Sequence, residues 1–385
     1  MKPRVLICRS NPIAPDPRVE KVARTLAGAG FLVTLLGWDR TADLPPYSLE
    51  EGLPVYRLPI RAKYGHGLAN LPGLLRWQWR LINWLVHHRS EYDLIHACDF
   101  DTILPAWFTK ILWSKKVVYD IFDFYADHLR ATPAFIKALI RAIDLRAIAW
   151  VDALILADDS RREQIHGAKP KRLAIIYNTP EDLSEVKESQ PNQGQDFRTS
   201  NAALRLAYVG LLQKERGLFQ MLEILNRHPE WSLDLAGFGG DSEEIHDIAR
   251  QMPNVRWHGR IPYDQALRLS QAADVLFATY DPAIPNHRYS SPNKVFEAMM
   301  LGKPVIVARN TNMDHIIRQE DCGIIIEYGN LNELETAITL FENDPGLRLR
   351  LGENGRRAYQ TTYSWINMQS RLITLYNEVW GAESI

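Results

Sequence analysis

Along this chain, short apolar runs alternate with stretches in which apolar residues recur every three or four positions. "RVLICRS" reads as a buried strand, and Asp16 then caps a helix whose Val19, Val22, Ala23 and Leu26 share one face. "FLVTLLGW" follows as a second buried strand, and "LIHAC", "KVVYDIF", "ALILAD" and "RLAIIYN" repeat the theme. Such alternation predicts a parallel sheet covered by helices on both faces. Between Glu181 and Asn201 the pattern collapses into "SEVKESQPNQGQDFRTSN", a polar stretch without period that reads as a linker. It then restarts with "LRLAYVG", "WSLDLAG", "NVRWHG", "ADVLFATY", "KPVIVA" and "CGIIIEY". The expected fold class is therefore α/β, with two doubly wound, Rossmann-like domains facing a central cleft. Residues 1–185 form the first, 186–202 the linker and 203–364 the second. A last helix, from Trp365 to Trp380, carries Leu372, Leu375, Tyr376 and Val379 on one face. Ligands in such sheets bind beyond the carboxyl ends of the strands.

Composition narrows the function classes. The 385 residues are 46% hydrophobic, enough for two ordinary cores, and the net charge of −1 at pH 7 argues against a nucleic-acid binder. Cys8, Cys98 and Cys322 are far apart, form no metal-type spacing and suggest a reducing compartment. No apolar run has the length of a signal peptide or a membrane span, so a soluble cytoplasmic protein is expected.

The stretch "SSPNKVFEAMMLGKPVIVA" sets one carboxylate, Glu297, in an otherwise apolar helix. Ser291 suits the N-cap and Pro292 the first helical position, Val295, Phe296, Met299 and Met300 supply a packing face, and Gly302 stops the helix. The N-terminus of such a helix offers free N–H groups and partial positive charge to a phosphate. A carboxylate two turns in could accept hydrogen bonds from sugar hydroxyls; the plain alternative is a solvated surface acid.

In order, "YVGLLQKERGL", "LDLAGFGG", "NVRWHGRIP", "ADVLFATY", "SPNKVFEAMMLGKPVI" and "CGIIIEYGNLNEL" resemble the C-terminal domain of a family-four retaining glycosyltransferase of the GT-B fold. The likeness extends to "DPRVEKVARTLAGAGFLVTLLGW", "DLIHACDFDTILPA" and "YSWINMQSRLITLY", omitting mainly 41–90 and the linker. It implies that the C-terminal domain grips a nucleotide-sugar donor (UDP- or GDP-sugar), that the N-terminal domain holds the acceptor, and that helix 365–380 crosses back onto the N-terminal domain. Glu297 matches the second acid of the family's paired-glutamate motif, on the donor ribose, and Ser291, Asn293 and Lys294 line the phosphate cradle. The first acid, a donor-sugar contact, is replaced by Tyr289. The family also places Arg after the Gly of "YVG" and Lys five residues later; here Gly210 is followed by Leu211 and Arg216, so one cation is missing, with Lys214 a substitute. Gly237 in "AGFGGD" marks a glycine-rich turn approaching the donor, although as a dinucleotide fingerprint it lacks a third Gly, having Ser242 there. Ile261 stands where backbone groups meet the base, with Arg260 beside it.

Retaining enzymes of this fold need no dedicated nucleophile, so no catalytic triad is expected, and the resemblance implies that the leaving phosphate assists acceptor deprotonation. The family's acceptor-side His is Phe122 here, flanked by Asp123; Asp123, Asp99 and His128 are the candidates to orient the acceptor. Asp99-Phe100-Asp101 mimics a metal-binding Asp-x-Asp motif, but two doubly wound halves argue against that role and no obligatory metal is expected. The acceptor class is a glycan, a lipid-linked sugar or a small molecule. Segment 74–89, "LLRWQWRLINWLVHHR", combines an apolar face with Trp77, Leu81 and Trp84 and a basic strip of Arg76, Arg80 and His87. It suits a core helix or an anionic membrane surface at the inner face of the cell membrane. Besides transfer, two other activities fit the sequence: epimerisation or hydrolysis of the nucleotide sugar, and catalytically silent binding.

Overall fold

The computed structural model describes residues 3–62, 71–129, 132–182, 203–289 and 292–381, with the side chain of His128 outside that set. The whole of the linker assigned to 186–202, and Ser291, fall outside it too. The chain forms two compact units: Met1–Tyr177 together with Met368–Ile385, and Asn178–Asn367.

The first unit holds an eight-stranded sheet in the order β3-β4-β2-β1-β5-β6-β7-β8. Its strands are β1 (Arg4–Arg9), β2 (Leu32–Asp39), β3 (Tyr47–Glu50), β4 (Leu53–Pro59), β5 (Leu94–Cys98), β6 (Lys116–Ile121), β7 (Ala153–Leu156) and β8 (Leu173–Ile175). All pairs are parallel except β3 with β4. That hairpin is a departure from the all-parallel expectation: Glu51 and Gly52 both take positive φ (50° and 82°), the turn geometry that matches strand twist. Asp16 caps helix Pro17–Gly28 as expected, accepting from the Val19 N–H, with Pro17 in the first turn.

Three helices, Leu71–His87, Phe100–Trp113 and Ala134–Trp150, carry the crossovers β4 to β5, β5 to β6 and β6 to β7. These crossovers all move the same way across the sheet, so right-handed connection puts the helices on one face. Trp77 and Gln78 both donate to the Asp101 carbonyl, joining the first two helices, and Trp107 meets Trp150 edge-on at 5.6 Å, joining the last two. Trp77 stacks on Trp38 at 5.2 Å, and Trp77, Leu81 and Leu85 are fully buried. The apolar face drawn around Trp77 and Leu81 is thus the core face of its helix and cannot meet a membrane; Trp84 packs half-buried against the same core.

The second unit holds a six-stranded, all-parallel sheet in the order β11-β10-β9-β12-β13-β14. The strands are β9 (Leu204–Leu211), β10 (Trp231–Phe238), β11 (Val255–Gly259), β12 (Val275–Ala278), β13 (Val305–Ala308) and β14 (Gly323–Ile326). The order reverses between β9 and β12, which is the switch point where ligands of such sheets sit. Helix Asn293–Met300 enters β13, but it starts one residue later than expected: Pro292 has ψ 143°, extended, and so stands at the cap position rather than in the first turn. The last helix, Trp365–Trp380, buries Leu372, Leu375, Tyr376 and Val379. Among the described residues no helix is long and apolar enough to cross a membrane.

Candidate functional site

In the second unit, the carboxyl ends of β9 and β10 carry Gly210 and Gly237 side by side in register. Their φ values are 150° and 149°. A Cβ on Gly237 would lie 1.8 Å from the Gly210 carbonyl oxygen, and one on Gly210 would lie 1.9 Å from Lys294 Nζ. The backbone contact excludes a side chain at Gly237, the positive φ disfavours one at Gly210, and the space beside Gly210 is filled by the Lys294 ammonium from the first turn of helix Asn293–Met300.

Two cations converge here on aromatic rings. Lys294 Nζ stands 4.6 Å from the ring centre of Tyr208 on β9. The Arg216 guanidinium lies 3.8 Å over the ring of Tyr280, just past β12. Arg216 ends a single turn, Lys214–Arg216, closed by left-handed Gly217, where a Cβ would strike Thr279 Oγ1 at 2.2 Å. Among the described residues no carboxylate pairs with Arg216 or Lys294, and the buried Arg216 Nε makes no hydrogen bond. A cation over a ring face is stabilised without using its N–H donors, which stay available for an anion. Burial pushes the Tyr208 phenol well above its ordinary value, with Tyr280 adding to the rise and Arg216 opposing it. His287, which the sequence reading passed over, packs 5.2 Å from the Tyr280 ring; burial, helped by Arg216, lowers its pKa and favours the neutral ring.

The helix itself supplies further donors. N–H groups in its first turn, at Asn293 and Lys294, have no intrahelical acceptor, and the buried Asn293 Oδ1 has no partner among the described residues. Glu297 lies one turn in and is half-buried, and its Oε1 accepts from the Tyr263 hydroxyl at 3.0 Å. That partner was missed, although Tyr263 follows Ile261 by only two residues and opens the next helix, Tyr263–Ala272. Burial and then the Glu297 charge push the Tyr263 phenol far up, which keeps it protonated as a donor. Ile261 is half-buried in the turn before it, and Arg260 stacks 4.8 Å from the ring of exposed Phe238, next to Gly237. Tyr289 closes the short helix Pro285–Arg288, and Leu211 is exposed at the end of β9.

In the first unit, Asp99 stands between β5 and helix Phe100–Trp113 with φ 60° and ψ 174°, a conformation costly for any residue with a Cβ. Its carboxylate accepts from the N–H groups of Phe122 and Asp123 (2.8 and 3.4 Å) and pairs with Arg9. Burial raises its pKa while Arg9 opposes the rise. Phe122, at the position of the family's His, lies under two guanidiniums, Arg9 at 4.0 Å and Arg18 at 4.7 Å. Arg18 also forms a buried pair with Asp120 at 2.8 Å, and Asp120 contacts His96, whose Nδ1 meets the Tyr376 hydroxyl at 2.7 Å. Asp123 is partly exposed and held by Arg161 at 2.6 Å. Asp99 and Asp123 thus come together around the Phe122 backbone; His128 ends the short helix Tyr125–His128, its side chain outside the described set. Among the described residues no cluster of His, Cys, Asp and Glu could hold a metal ion.

Residues 14–179 match the family described as "Glycosyl transferase 4-like domain" and residues 190–358 the family "Glycosyl transferases group 1". The chain is 22% identical over 328 residues to a D-inositol 3-phosphate glycosyltransferase of Corynebacterium kroppenstedtii, covering 75% of this chain and 68% of that protein. Among solved structures, sucrose-phosphate synthase from Thermosynechococcus elongatus superposes with a TM-score of 0.75 at 15% identity, over 99% of this chain and 100% of its own. Anabaena HepE, solved in complex with UDP and glucose, superposes with a TM-score of 0.68 at 15% identity, over 97% and 99%.

Proposed function

The chain belongs to the family-four glycosyltransferases of the GT-B fold, and on that premise we propose that it transfers a sugar from a nucleotide-sugar donor, with retention, to a glycan, lipid-linked or small-molecule acceptor. The observation that carries this reading is the pair of cations, Arg216 and Lys294, that have no carboxylate partner among the described residues and stand at glycine-narrowed strand ends beside a helix N-terminus. When the bond between the anomeric carbon and the phosphate oxygen breaks, negative charge grows on the departing nucleoside diphosphate. Fixed donors aimed at that charge lower the barrier. Arg216, Lys294 and the N–H groups of Asn293 and Lys294 are assigned that task. Glu297, steadied by Tyr263, takes the ribose hydroxyls, Ile261 and Gly237 border the base and diphosphate, and Tyr289 takes the place of the acid that meets the donor sugar. The acceptor hydroxyl gives its proton to the leaving phosphate as the new glycosidic bond forms. Asp123 orients the acceptor, with Asp99 holding the Phe122–Asp123 backbone in place. Because a structural relative was solved with UDP and glucose, a UDP-sugar is the first donor to try, ahead of a GDP-sugar.

Calorimetric titration with UDP and GDP tests the donor site. Binding of one diphosphate, weakened about tenfold or more by Arg216→Ala or Lys294→Ala, is expected for charge-assisted phosphate contacts. Failure of both diphosphates to bind overturns the proposal. Consumption of the matching nucleotide sugar at an undiminished rate without any acceptor points instead to hydrolysis or epimerisation.

A further inference from the structure

The outer surface of the three-helix layer in the first unit has no role in the transfer chemistry above. Helix Leu71–His87 turns Trp77, Leu81 and Leu85 to the core, yet its opposite side leaves Leu75 and Trp79 exposed at 61% and 65%. The neighbouring helices do likewise: Ile111 and Leu112 on Phe100–Trp113, and Phe135 and Leu139 on Ala134–Trp150, are all more than half exposed. Isolated exposed apolar residues are ordinary, but three packed helices showing them on one layer make a patch.

The charge on this layer is one-sided. Arg76, Arg80 and Arg146 are exposed, and Lys137 half-exposed, among these apolar side chains. The three helices contain only two acids, Asp101 and Asp144; Asp144 is buried under the layer, and Asp101 sits at the start of its helix. A chain with net charge −1 has therefore gathered cations, aromatic rings and aliphatic tips on one face.

We propose that this face, formed by helices Leu71–His87, Phe100–Trp113 and Ala134–Trp150, docks on an anionic lipid bilayer. Arginine heads meet the phosphate layer while Trp79, Phe135 and the leucines enter the interface, the arrangement of an interfacial amphipathic surface. Charge decides against a second copy of this chain as the occupant. A two-fold contact would set the same cations against each other with almost no acid to offset them. Nucleic acid offers phosphates but gives the aliphatic tips nothing to bury against. The proposal does not depend on the donor site: a protein that failed to bind any nucleotide could still dock here.

Flotation of the full chain with vesicles of phosphatidylglycerol and phosphatidylcholine in equal parts tests it, against phosphatidylcholine alone. Binding to the anionic vesicles at low salt, fading as salt rises, is expected. Arg76→Ser with Arg80→Ser should weaken the partition roughly tenfold to thirtyfold, at about one surface-charge contact per arginine. Trp79→Ser with Phe135→Ser should weaken it through lost insertion, and Arg250→Ser with Arg268→Ser, on the second unit, should leave it unchanged. All six side chains are exposed or half-exposed enough to spare the fold, which a melting curve checks. No vesicle binding at low salt, or equal binding by the layer variants and wild type, overturns the proposal. So does self-association that these variants abolish in the absence of lipid.

Discussion

Replacing Glu297 by Gln separates the proposed ribose contact from the fold. The amide keeps the side chain's shape and an acceptor oxygen for the Tyr263 hydroxyl, so the 3.0 Å bond survives in neutral form. What disappears is the charge that, on the proposed reading, strengthens hydrogen bonds from the ribose hydroxyls. Bonds to a charged group contribute roughly 1.5–3 kcal/mol, so nucleoside diphosphate affinity should fall about tenfold to a hundredfold. Tyr263→Phe should weaken it less, about twofold to tenfold, because the carboxylate remains but loses the donor that holds its rotamer. In the double variant the effects should not add, since the phenol acts only through the carboxylate. Calorimetric titration of all four proteins with one diphosphate measures the cycle, and melting temperatures within about a degree or two would confirm that stability changed by less than about 0.5 kcal/mol. Equal affinity of wild type and Glu297→Gln would refute the ribose assignment and leave Glu297 as a structural partner of Tyr263.

Two further predictions concern pH and stability. Burial pushes the Asp144 carboxyl up from 3.8 to about 6, with the Tyr119 hydroxyl, 2.7 Å away, opposing part of the rise. The unfolded chain gives up this proton at lower pH than the folded one, so stability should fall as pH rises between those values and level off above. Asp144→Asn retains an acceptor for Tyr119 and should be more stable at pH near 7.5 by about 2–3 kcal/mol at most; urea denaturation showing it less stable there would refute this. His228 bridges Glu230 and Glu335; burial opposes its charge, but those two hydrogen bonds outweigh it and raise the pKa. Its contribution is fully present below the unfolded His value and lost as pH climbs through the raised folded one. With His228 half-buried and its two glutamates more open to solvent, it should be at most about 0.5 kcal/mol, and a melting-temperature series in which His228→Gln shows the same slope as wild type over that range would count against it.

Much of the architecture could be read before any coordinate. Parallel strands buried on both faces must be continuous apolar runs, so "RVLICR", "LIHAC" and "RLAYVGL" stood out and the alternation with helices implied two wound sheets. The antiparallel hairpin Tyr47–Glu50 with Leu53–Pro59 did not stand out, because its turn is Glu-Gly rather than a residue pair that announces positive φ at both positions. Local rules also misplaced the start of helix Asn293–Met300 by one residue: Pro292 fits both the first turn and the extended position before it, and only its ψ of 143° distinguishes them. In the site, glycines and cations were visible as residue types at telling positions. That Arg216 and Lys294 each rest on a tyrosine ring, or that Tyr263 holds Glu297, depends on residues 34 to 86 positions apart meeting in space.

Helix Leu71–His87 shows where the boundary lies. Its sequence is apolar on more than one side, with Leu75, Trp77, Trp79 and Leu81 pointing in different directions around the axis. Periodicity determined that it is a helix and which residues share each stripe. It could not determine which stripe faces inward, because two of them are hydrophobic enough to be buried. The sheet made that choice: Trp38 on β2 offers a flat ring for Trp77 to stack on, and the Asp101 carbonyl accepts the Trp77 N–H that would otherwise be buried unpaired. Trp79 and Leu75 were then left outside beside Arg76 and Arg80. One-dimensional pattern specifies elements and their faces, but when two faces are comparably apolar, the partner each one meets is settled only by shape and hydrogen bonding in three dimensions.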